Sequence, residues 1–355
     1  MELFAVIMAG GVGSRFWPRS KEKKPKQLLR IFGKNTMIQE TIARLDGMVE
    51  KDHIIIVTNK VQKNEIKNQL PDIPAENIID EPFGKNTAAA IGLASVLISR
   101  RNPEAVTITL PADHIIREKD EFQQTILSAA EFAHKSKGLL TIGIVPVRPE
   151  TGYGYIQIDE KAVSDNIFKV MTFAEKPNYS TAIRFIESGD FLWNSGMFIW
   201  RADAILDEIA VHMPELSEGL KQIEASVGSV NFEKTLSNVY GQLKSISIDY
   251  GIMEKSQNVY LTRGRFSWSD VGSWEEVYQL SEKDNEGNAV VGQAYCQNTN
   301  DSYIFSPKKF AAVIGLENVI VINTDDALLI CRRDQSQDVK NVVDYLKMKK
   351  LSEHL

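Results

Sequence analysis

The feature that most constrains the fold of this chain is an apolar run at residues 3–9 that ends in Gly10, Gly11 and Gly13. Such a run predicts a buried β-strand that leads into a loop whose backbone N–H groups can approach a phosphate. Glycine suits that loop because a side chain would hold a ligand away from the backbone, and because glycine tolerates a positive φ. The stretch therefore predicts a nucleotide site.

The loop departs from two common nucleotide-binding patterns. The dinucleotide pattern G-x-G-x-x-G fails because Phe16 occupies the place of the third glycine, and the Walker pattern fails because no Gly-Lys-Ser/Thr closes the loop. Arg15 and Lys26 support phosphate binding, since two cations beside the loop would supply the positive charge that a triphosphate requires. Because the third glycine of the dinucleotide pattern is missing, a dehydrogenase with a Rossmann-like sheet is disfavoured.

Length and charge limit the partners of the protein. A chain of 355 residues predicts more than one domain, since single cores stop growing near ~250–300 residues. A hydrophobic content of 43% and a charged content of 25% are ordinary for a soluble globular protein. The net charge of −6 argues against a general nucleic-acid or anionic-membrane surface, which would need a basic excess. We therefore expect that the protein binds neither nucleic acid nor a membrane. Any anion site should be confined to a local group of cations.

Location is predicted from the N-terminal run and the cysteines. The run is too short to span a membrane, and it lacks the basic region and cleavage site that flank a secretory signal. Cys296 and Cys331, the two cysteines of the chain, fit a reducing compartment and are too few for a structural zinc site. We expect a cytoplasmic protein in which both cysteines lie on strands.

Apolar segments alternate with amphipathic ones through the first 146 residues. Near-continuous apolar strands between such helices predict a parallel sheet covered on both faces. Thr36 and Gln39 form the pattern of a capping box at the start of one helix. Between residues 151 and 177 the apolar residues recur with period two, which predicts antiparallel strands. The expected strands are 53–58, 105–114 and 139–146, and the expected helices are 36–45, 88–101 and 122–133.

Two polar segments of the nucleotide half carry candidate ligands. Asp113 lies at the end of the strand predicted at 105–114, and because ligands of open α/β sheets bind beyond the carboxyl ends of strands, it is placed like a metal ligand. Capping of the next helix is the alternative. Asn86 and Thr87 lie where an N-cap belongs. Alternatively, Glu81 and Asn86 face a nucleotide base, since a carboxylate can accept hydrogen bonds from N1 and N2 of guanine.

The segments 9–20 and 25–27 resemble the signature of sugar-phosphate nucleotidylyltransferases, and their Phe-Trp-Pro and Pro-Lys-Gln variants resemble the mannose-1-phosphate guanylyltransferases. The resemblance implies an α/β fold with a Rossmann-like mixed sheet in a nucleotidyltransferase domain at 1–282. The nucleotide half would cover about 1–146 and the sugar half about 147–282. A small β-rich domain with β-helical coils would follow at 283–355, with a terminal helix at 338–349.

The resemblance also implies the roles of individual residues. Two aspartates would bind Mg²⁺, cations would hold the phosphates, and the glycine loop and the segment after Glu81 would bind the nucleotide. In the family that segment commonly reads Arg-Asn-Thr-Ala-Pro-Ala, whereas Lys85 and Ala89 replace the arginine and the proline here. The implied catalytic residues are Arg15, Lys26, Asp113, Lys176 and Asp270, and the metal ligands are Asp113 and Asp270. The implied nucleotide-binding residues are Ala9, Gly10, Gly11, Gly13, Ser14, Arg15, Lys26, Glu81, Asn86 and Thr87. The implied sugar-phosphate-binding residues are Gly152, Tyr153, Glu175, Lys176 and Asn194.

The reaction implied by the resemblance is GMP transfer from GTP to α-D-mannose 1-phosphate, which gives GDP-mannose and pyrophosphate. The same chemistry with another nucleoside triphosphate or hexose 1-phosphate is the main alternative, ahead of a nucleotide-sugar-binding regulator or an NAD-dependent dehydrogenase. Bifunctional relatives continue beyond the end of this chain into an isomerase domain, so isomerase activity is not expected. The family also suggests a homodimer.

Overall fold

The computed structural model describes residues 1–11 and 13–355, so Val12 of the glycine loop lies outside the described residues. The strands are β1 (Leu3–Met8), β2 (Ile54–Asn59), β3 (Ile78–Glu81), β4 (Val106–Pro111), β5 (Ile115–Ile116), β6 (Leu139–Ile144), β7 (Tyr155–Ser164), β8 (Ile167–Ala174), β9 (Phe191–Arg201), β10 (Val259–Arg263), β11 (Trp268–Ser269), β12 (Ala289–Gln297), β13 (Tyr303–Ile314), β14 (Val319–Asn323) and β15 (Leu328–Arg332). The α-helices are α1 (Met37–Ala43), α2 (Lys63–Gln69), α3 (Asn86–Ser99), α4 (Lys119–Ser136), α5 (Tyr179–Ser188), α6 (Ala202–His212), α7 (Pro214–Ser226), α8 (Phe232–Gln242), α9 (Trp274–Leu280) and α10 (Val339–Lys349).

A mixed sheet organises the larger part of the molecule. Its strand order is β3-β2-β1-β4-β9-β6-β10-β8-β7, and β7 also pairs with β9. β3, β2, β1 and β4 run parallel, as their apolar sequences predict. β9 runs antiparallel to both β4 and β6, and so joins the parallel half to the antiparallel strands β7 and β8. The predicted Rossmann-like mixed sheet is confirmed.

The N-termini of two helices test the capping predictions. Thr36 and Gln39 form the predicted capping box at the start of α1, where the Thr36 amide donates to Oε1 of Gln39 over 2.9 Å. The start of α3 differs, because the helix begins at Asn86 after Lys85, without a side-chain cap. Asn86 has a φ of 66°, and its Oδ1 accepts from the Thr87 amide over 2.8 Å. The helix therefore starts two residues earlier than the predicted 88.

The C-terminal part forms a smaller sheet of β12, β13, β14 and β15. The first three strands pair in parallel and β15 pairs antiparallel with β14, which fits the expected β-helical coils. This sheet shares a hydrophobic cluster with the glycine-loop region, to which Phe16, Trp274 and Tyr303 contribute. The terminal helix α10 begins at Val339, one residue after the predicted start. The domain boundary at residue 282 stays a prediction.

The cysteines and the helix lengths bear on two further predictions. Cys296 and Cys331 are free and lie on β12 and β15, as predicted. Within residues 1–11 and 13–355, no helix has the length and apolar character needed to cross a membrane.

Candidate active site

Buried amide side chains fix the loop that follows β1. Nε2 of Gln27 donates to the carbonyl oxygens of Ala9 and Gly11 over 3.0 and 2.9 Å, and to Oε1 of Gln62 over 3.1 Å. Nε2 of Gln62 also donates to the Gly11 carbonyl. Because both glutamines are almost fully buried, they hold the loop against the protein interior. Sequence reasoning missed Gln62, since a lone glutamine between β2 and α2 carries no pattern.

Gly13 shows why this loop requires glycine. It has a φ of +58°, and a Cβ added there would lie 2.7 Å from Cβ of Lys26 and 3.0 Å from its backbone nitrogen. A larger residue would therefore be strained and would push the Lys26 segment away. The next turn, Ser14–Phe16, is a short 3₁₀ helix. Gly13 thus brings the glycine loop and Lys26 together, as the sequence predicts.

Lys26 joins the two predicted metal ligands. It is 5% exposed, and its Nζ donates to Oδ2 of Asp113 over 2.9 Å and to the main-chain oxygen of Asp270. Asp113 follows β4, while Asp270 follows β11, which pairs with β5. This two-stranded pairing places Asp270 beside Asp113 although the two residues are far apart in the chain.

The two aspartates differ in electrostatic environment. Burial opposes ionisation of Asp113, but the Lys26 ammonium holds its pKa below the usual range. Burial and the neighbouring Glu276 raise the pKa of Asp270 to about 6. Burial also lowers the pKa of His114 to about 4, which agrees with a neutral imidazole whose Nδ1 accepts from Nε1 of Trp268. His114 therefore packs beside the site as a neutral group.

The donor set at this point fits Mg²⁺. The ion prefers oxygen ligands and is commonly held by one or two protein carboxylates together with substrate phosphates. The Asp113 carboxylate accepts from the Lys26 ammonium, and the Asp270 carboxylate lies close enough to both groups for their charges to affect its pKa. Repulsion from Glu276 and Asp113 contributes to the raised pKa of Asp270, and a cation would relieve it. In the described chain no group of three acidic, histidine or cysteine side chains is arranged as a metal centre.

Tyr153 and Glu276 support the loop that carries Asp270. The Tyr153 hydroxyl donates to Oδ1 of Asp270. Glu276 accepts from the Gly272 amide over 2.8 Å and from Nη2 of Arg148 over 2.7 Å. Sequence reasoning assigned Tyr153 to sugar phosphate and overlooked Arg148 and Glu276. Their separation in the chain gives no local signal.

Arg15 does not join the Lys26 cluster. Its side chain is exposed and has no ion-pair partner in the part of the chain that the structure describes. It lies on the turn directly after Gly13. Its predicted role as a second phosphate-binding cation stays a prediction.

Lys176 and Asn194, two of the predicted sugar-binding residues, lie near Glu175. A Cβ on Gly154 would lie 2.5 Å from Oε2 of Glu175, so a larger residue there would displace the Glu175 carboxylate. Oε1 of Glu175 accepts from Nζ of Lys176, whose side chain is 58% exposed. Nδ2 of Asn194 donates to Oδ1 of Asp249 over 2.8 Å. Burial and the nearby Glu175 raise the pKa of Asp249.

Gly152 and Asp249 complete the description of this half. The Gly152 amide donates to Oε1 of Glu150 over 3.0 Å, and Gly152 itself is exposed. Asp249 begins a π-helical turn, Asp249–Met253, a rare conformation often found at functional sites. Asp249 therefore lies beside the sugar half through its hydrogen bond with Asn194.

The predicted base contacts lie at the edge of the parallel sheet. Glu81 ends β3, is 9% exposed, and points Oε2 to within 3.8 Å of the position of a Cβ on Gly10. Its Oε1 is buried near the Tyr240 hydroxyl, which is also buried. Burial raises the pKa of Glu81 to about 7, although Tyr240 opposes the shift. Asn86 is exposed, and the Thr87 hydroxyl accepts from the Ile248 amide over 2.8 Å.

Comparison with known proteins places this site in a family. Residues 4–287 match the nucleotidyl transferase family model, and residues 297–346 match a MannoseP isomerase/GMP-like β-helix domain. The chain therefore belongs to the nucleotidyl transferase family.

Within that family the chain belongs with the mannose-1-phosphate guanylyltransferases. It is 40% identical to such an enzyme of Escherichia coli over 358 residues, which cover 99% of this chain and 75% of the relative. It is also 40% identical to one of Salmonella muenchen over 361 residues, with the same coverage of 99% and 75%. Its fold resembles a Thermus thermophilus structure described as a mannose-1-phosphate geranyltransferase, with a TM-score of 0.89, 29% identity, and coverage of 98% of this chain and 100% of that one.

Proposed function

We propose that this protein transfers GMP from GTP to α-D-mannose 1-phosphate, giving GDP-mannose and pyrophosphate. The identity with guanylyltransferases over 99% of the chain supports this reaction. The observation that carries the proposal is the meeting of Lys26 with Asp113 and Asp270 beneath the glycine loop, because phosphoryl-type transfer depends on positioning and charge neutralisation around phosphates.

The proposed chemistry is one in-line displacement. An oxygen of the mannose phosphate attacks the α-phosphorus of GTP, a new P–O bond forms, and the bond to the β-phosphate oxygen breaks on the opposite side to release pyrophosphate. No covalent enzyme intermediate is required, so the protein acts by orientation and by stabilising negative charge. Lys26 and Arg15 would hold the triphosphate, and Lys176 would hold the attacking phosphate. The exposure of Lys176 suits a group that must reach a substrate.

Asp113 and Asp270 would hold Mg²⁺, which when bound would neutralise negative charge on the phosphates. Their proximity to Lys26 supports this assignment. Tyr153 would keep the Asp270 carboxylate in place through its hydroxyl. Ala9, Gly10, Gly11, Gly13 and Ser14 would lie along the triphosphate.

The sugar and the base would be recognised on opposite sides of this cluster. Glu175 would accept hydrogen bonds from mannose hydroxyls, Asn194 would contact a further hydroxyl, and Gly152 would let the backbone approach the sugar. The buried Glu81 carboxylate would accept from N1 and N2 of guanine, which adenine does not offer. The position of Oε2 of Glu81, which faces Gly10 of the glycine loop, supports this role.

A substrate panel tests the proposal. Pyrophosphate release is measured for the four nucleoside triphosphates against mannose 1-phosphate and glucose 1-phosphate. We expect the highest kcat/KM for GTP with mannose 1-phosphate. A preference for UTP or dTTP would contradict the base assignment, and NAD(H) binding without GTP binding would favour a dehydrogenase instead.

Variants of the two aspartates test the metal site. Asp113→Ala and Asp270→Ala are each expected to lower kcat by about 10²–10³-fold, since each removes a ligand to a charge-stabilising group. Asp207→Ala is the matched control, because Asp207 is exposed on α6. Near-normal rates in both site variants would overturn the assignment.

We also propose a cytoplasmic location and a homodimer. The free thiols of Cys296 and Cys331 support a reducing compartment, and the dimer rests on the family resemblance. Cell fractionation tests the location. Light scattering of the purified chain tests the dimer, and a monomer mass at micromolar concentration would contradict it.

A further inference from the structure

A cavity lined by cations lies outside the residues assigned to the nucleotide and the sugar. It has a volume of about 350 Å³ and lies between the segment that follows the glycine loop and the small C-terminal sheet. Its cations are Arg19, Lys21 and Lys24 on one side and Lys308 and Lys309 on the other. The cavity therefore combines two distant parts of the chain.

The charge of the cavity is opposite to that of the whole protein. Five cations line it against two carboxylates, Asp325 and Asp326, which leaves a local net charge of +3 in a chain of net charge −6. Asp325 pairs with Lys308, and Asp326 pairs with Lys21. Each carboxylate is thus already paired with one lysine.

Arg19 is a partly buried cation of this cavity that has no carboxylate partner among the described residues. Its guanidinium lies 4.1 Å from the ring centre of Phe305, and Nη2 donates to the carbonyl oxygen of Arg30 over 2.5 Å. It has no carboxylate within ion-pair distance in residues 1–11 and 13–355, and burial lowers its pKa. Lys24 and Lys309 are exposed and also lack an ion-pair partner among the described residues. A partly buried guanidinium without a counter-charge is costly unless an anion completes its environment.

We propose that this cavity binds a small phosphate-bearing ligand, held by the Arg19 guanidinium and by lysines from both walls. A guanidinium donates two parallel hydrogen bonds to a phosphate, and lysines add point charges around it. A volume of about 350 Å³ has room for inorganic phosphate or a hexose phosphate. The backbones of Lys21 and Lys24 pair in an isolated antiparallel β-bridge just before Pro25 and Lys26. The site therefore lies on the segment that leads to the active-site lysine.

Calorimetric titration of the full chain tests this site without either substrate of the proposed reaction. Inorganic phosphate and glucose 6-phosphate are the two probes. Similar affinities would identify phosphate alone as sufficient, and a clear preference for glucose 6-phosphate would identify a sugar phosphate; both outcomes support the site. Binding should weaken as salt rises, because it rests on charge. Since binding is read directly, its failure would leave the guanylyltransferase reaction untouched.

Paired variants decide where the probe binds. Arg19→Gln is avoided because Arg19 also packs on Phe305 and Trp274. Lys308→Gln combined with Lys309→Gln changes the exposed wall on β13 and should weaken binding about tenfold or more. Lys221→Gln combined with Lys234→Gln removes two exposed lysines on α7 and α8 and should leave binding unchanged.

A gain of affinity provides the sharpest outcome. Asp325→Asn removes the partner of Lys308, so binding should tighten several-fold, a result that misfolding cannot produce. Lys176→Gln should leave binding at the cavity unchanged. If all cavity variants bind like the unaltered protein, or if only Lys176→Gln loses binding, the anion binds at the active site alone and the proposal is wrong.

Discussion

The hydroxyl of Tyr153 donates a hydrogen bond to Oδ1 of Asp270, although the two residues are 117 positions apart in the chain. Tyr153 also packs edge-on against Trp193 and Trp268, with ring centres 5.2 and 5.4 Å away. The loop before β7 is thus fixed to the loop after β11. A residue of the proposed sugar half therefore orients a carboxylate of the proposed metal site.

Tyr153→Phe should separate positioning from substrate contact. The substitution removes the hydroxyl and keeps the aromatic packing, so we expect kcat to fall about tenfold, as for other residues that orient a metal ligand, with little change in KM for mannose 1-phosphate. Steady-state kinetics of pyrophosphate release provide the measurement, with Tyr179→Phe at an exposed tyrosine of α5 as control. A large rise in KM at unchanged kcat would instead assign the hydroxyl to the sugar phosphate.

Lys26→Met should lower kcat and also lower the Mg²⁺ concentration at which the enzyme is half-saturated. Loss of the ammonium removes positive charge from the triphosphate site, and kcat should fall about 10²–10³-fold. The Asp113 carboxylate would lose its ion-pair partner at 2.9 Å, so half-saturation should occur at a lower Mg²⁺ concentration. Lys63→Met, which breaks the ion pair with Asp80, is the control. A higher Mg²⁺ requirement in Lys26→Met would contradict the shared-site arrangement.

Strands could be predicted from sequence better than the contacts between loops. Buried parallel strands such as β1 and β4 are near-continuous apolar runs, so their chemistry is visible locally. The glycine loop was likewise visible, and Gly13 has the positive φ and close contact that explain it. Tyr153 was assigned only to the sugar, because its bond to Asp270 depends on how two distant loops meet.

The start of α3 illustrates a second limit of sequence reasoning. Asn86 was expected near an N-cap, but it lies inside the helix boundary with a positive φ. Thr87 binds the Ile248 amide instead of its own helix. A tertiary partner that is remote in sequence therefore overrides a local capping preference.

Thr87→Val should weaken the connection between the two halves of the site. The Thr87 hydroxyl accepts from the Ile248 amide over 2.8 Å, directly before Asp249. Valine keeps the shape and leaves that amide unpaired, so the free energy of unfolding should fall by about 1–2 kcal/mol, as urea unfolding can measure. KM for mannose 1-phosphate should rise more than KM for GTP. Thr87→Ser, which retains the hydroxyl, should restore both properties, and failure to do so would exclude this hydrogen bond as the cause.

The stability of the protein should depend on the protonation of Glu81. Its pKa in the folded protein is raised from 4.5 to about 7 by burial, so the folded state binds a proton that the unfolded state has lost. Stability should therefore fall as pH rises from about 5 to about 7, by at most ~3 kcal/mol, and level off above that range. Urea unfolding of Glu81→Gln should lack this component, whereas Glu76→Gln, at an exposed glutamate, should retain it. Equal pH profiles for Glu81→Gln and the unaltered protein would contradict the shift.

GTP affinity should increase when Glu81 loses its proton, whereas the stability of the protein should decrease. Only the ionised Glu81 carboxylate accepts from both N1 and N2 of guanine, and the carboxylate forms as pH rises through its pKa of about 7. The dissociation constant for GTP should therefore decrease as pH rises from about 6 to about 8. The γ-phosphate of GTP also titrates in this range, so Glu81→Gln is measured at each pH as the reference for that contribution. Glu81→Gln should bind GTP more weakly at high pH and lose most of the pH dependence, because glutamine offers an acceptor without a negative charge. If the two proteins show the same pH profile for GTP binding, Glu81 does not contact the base.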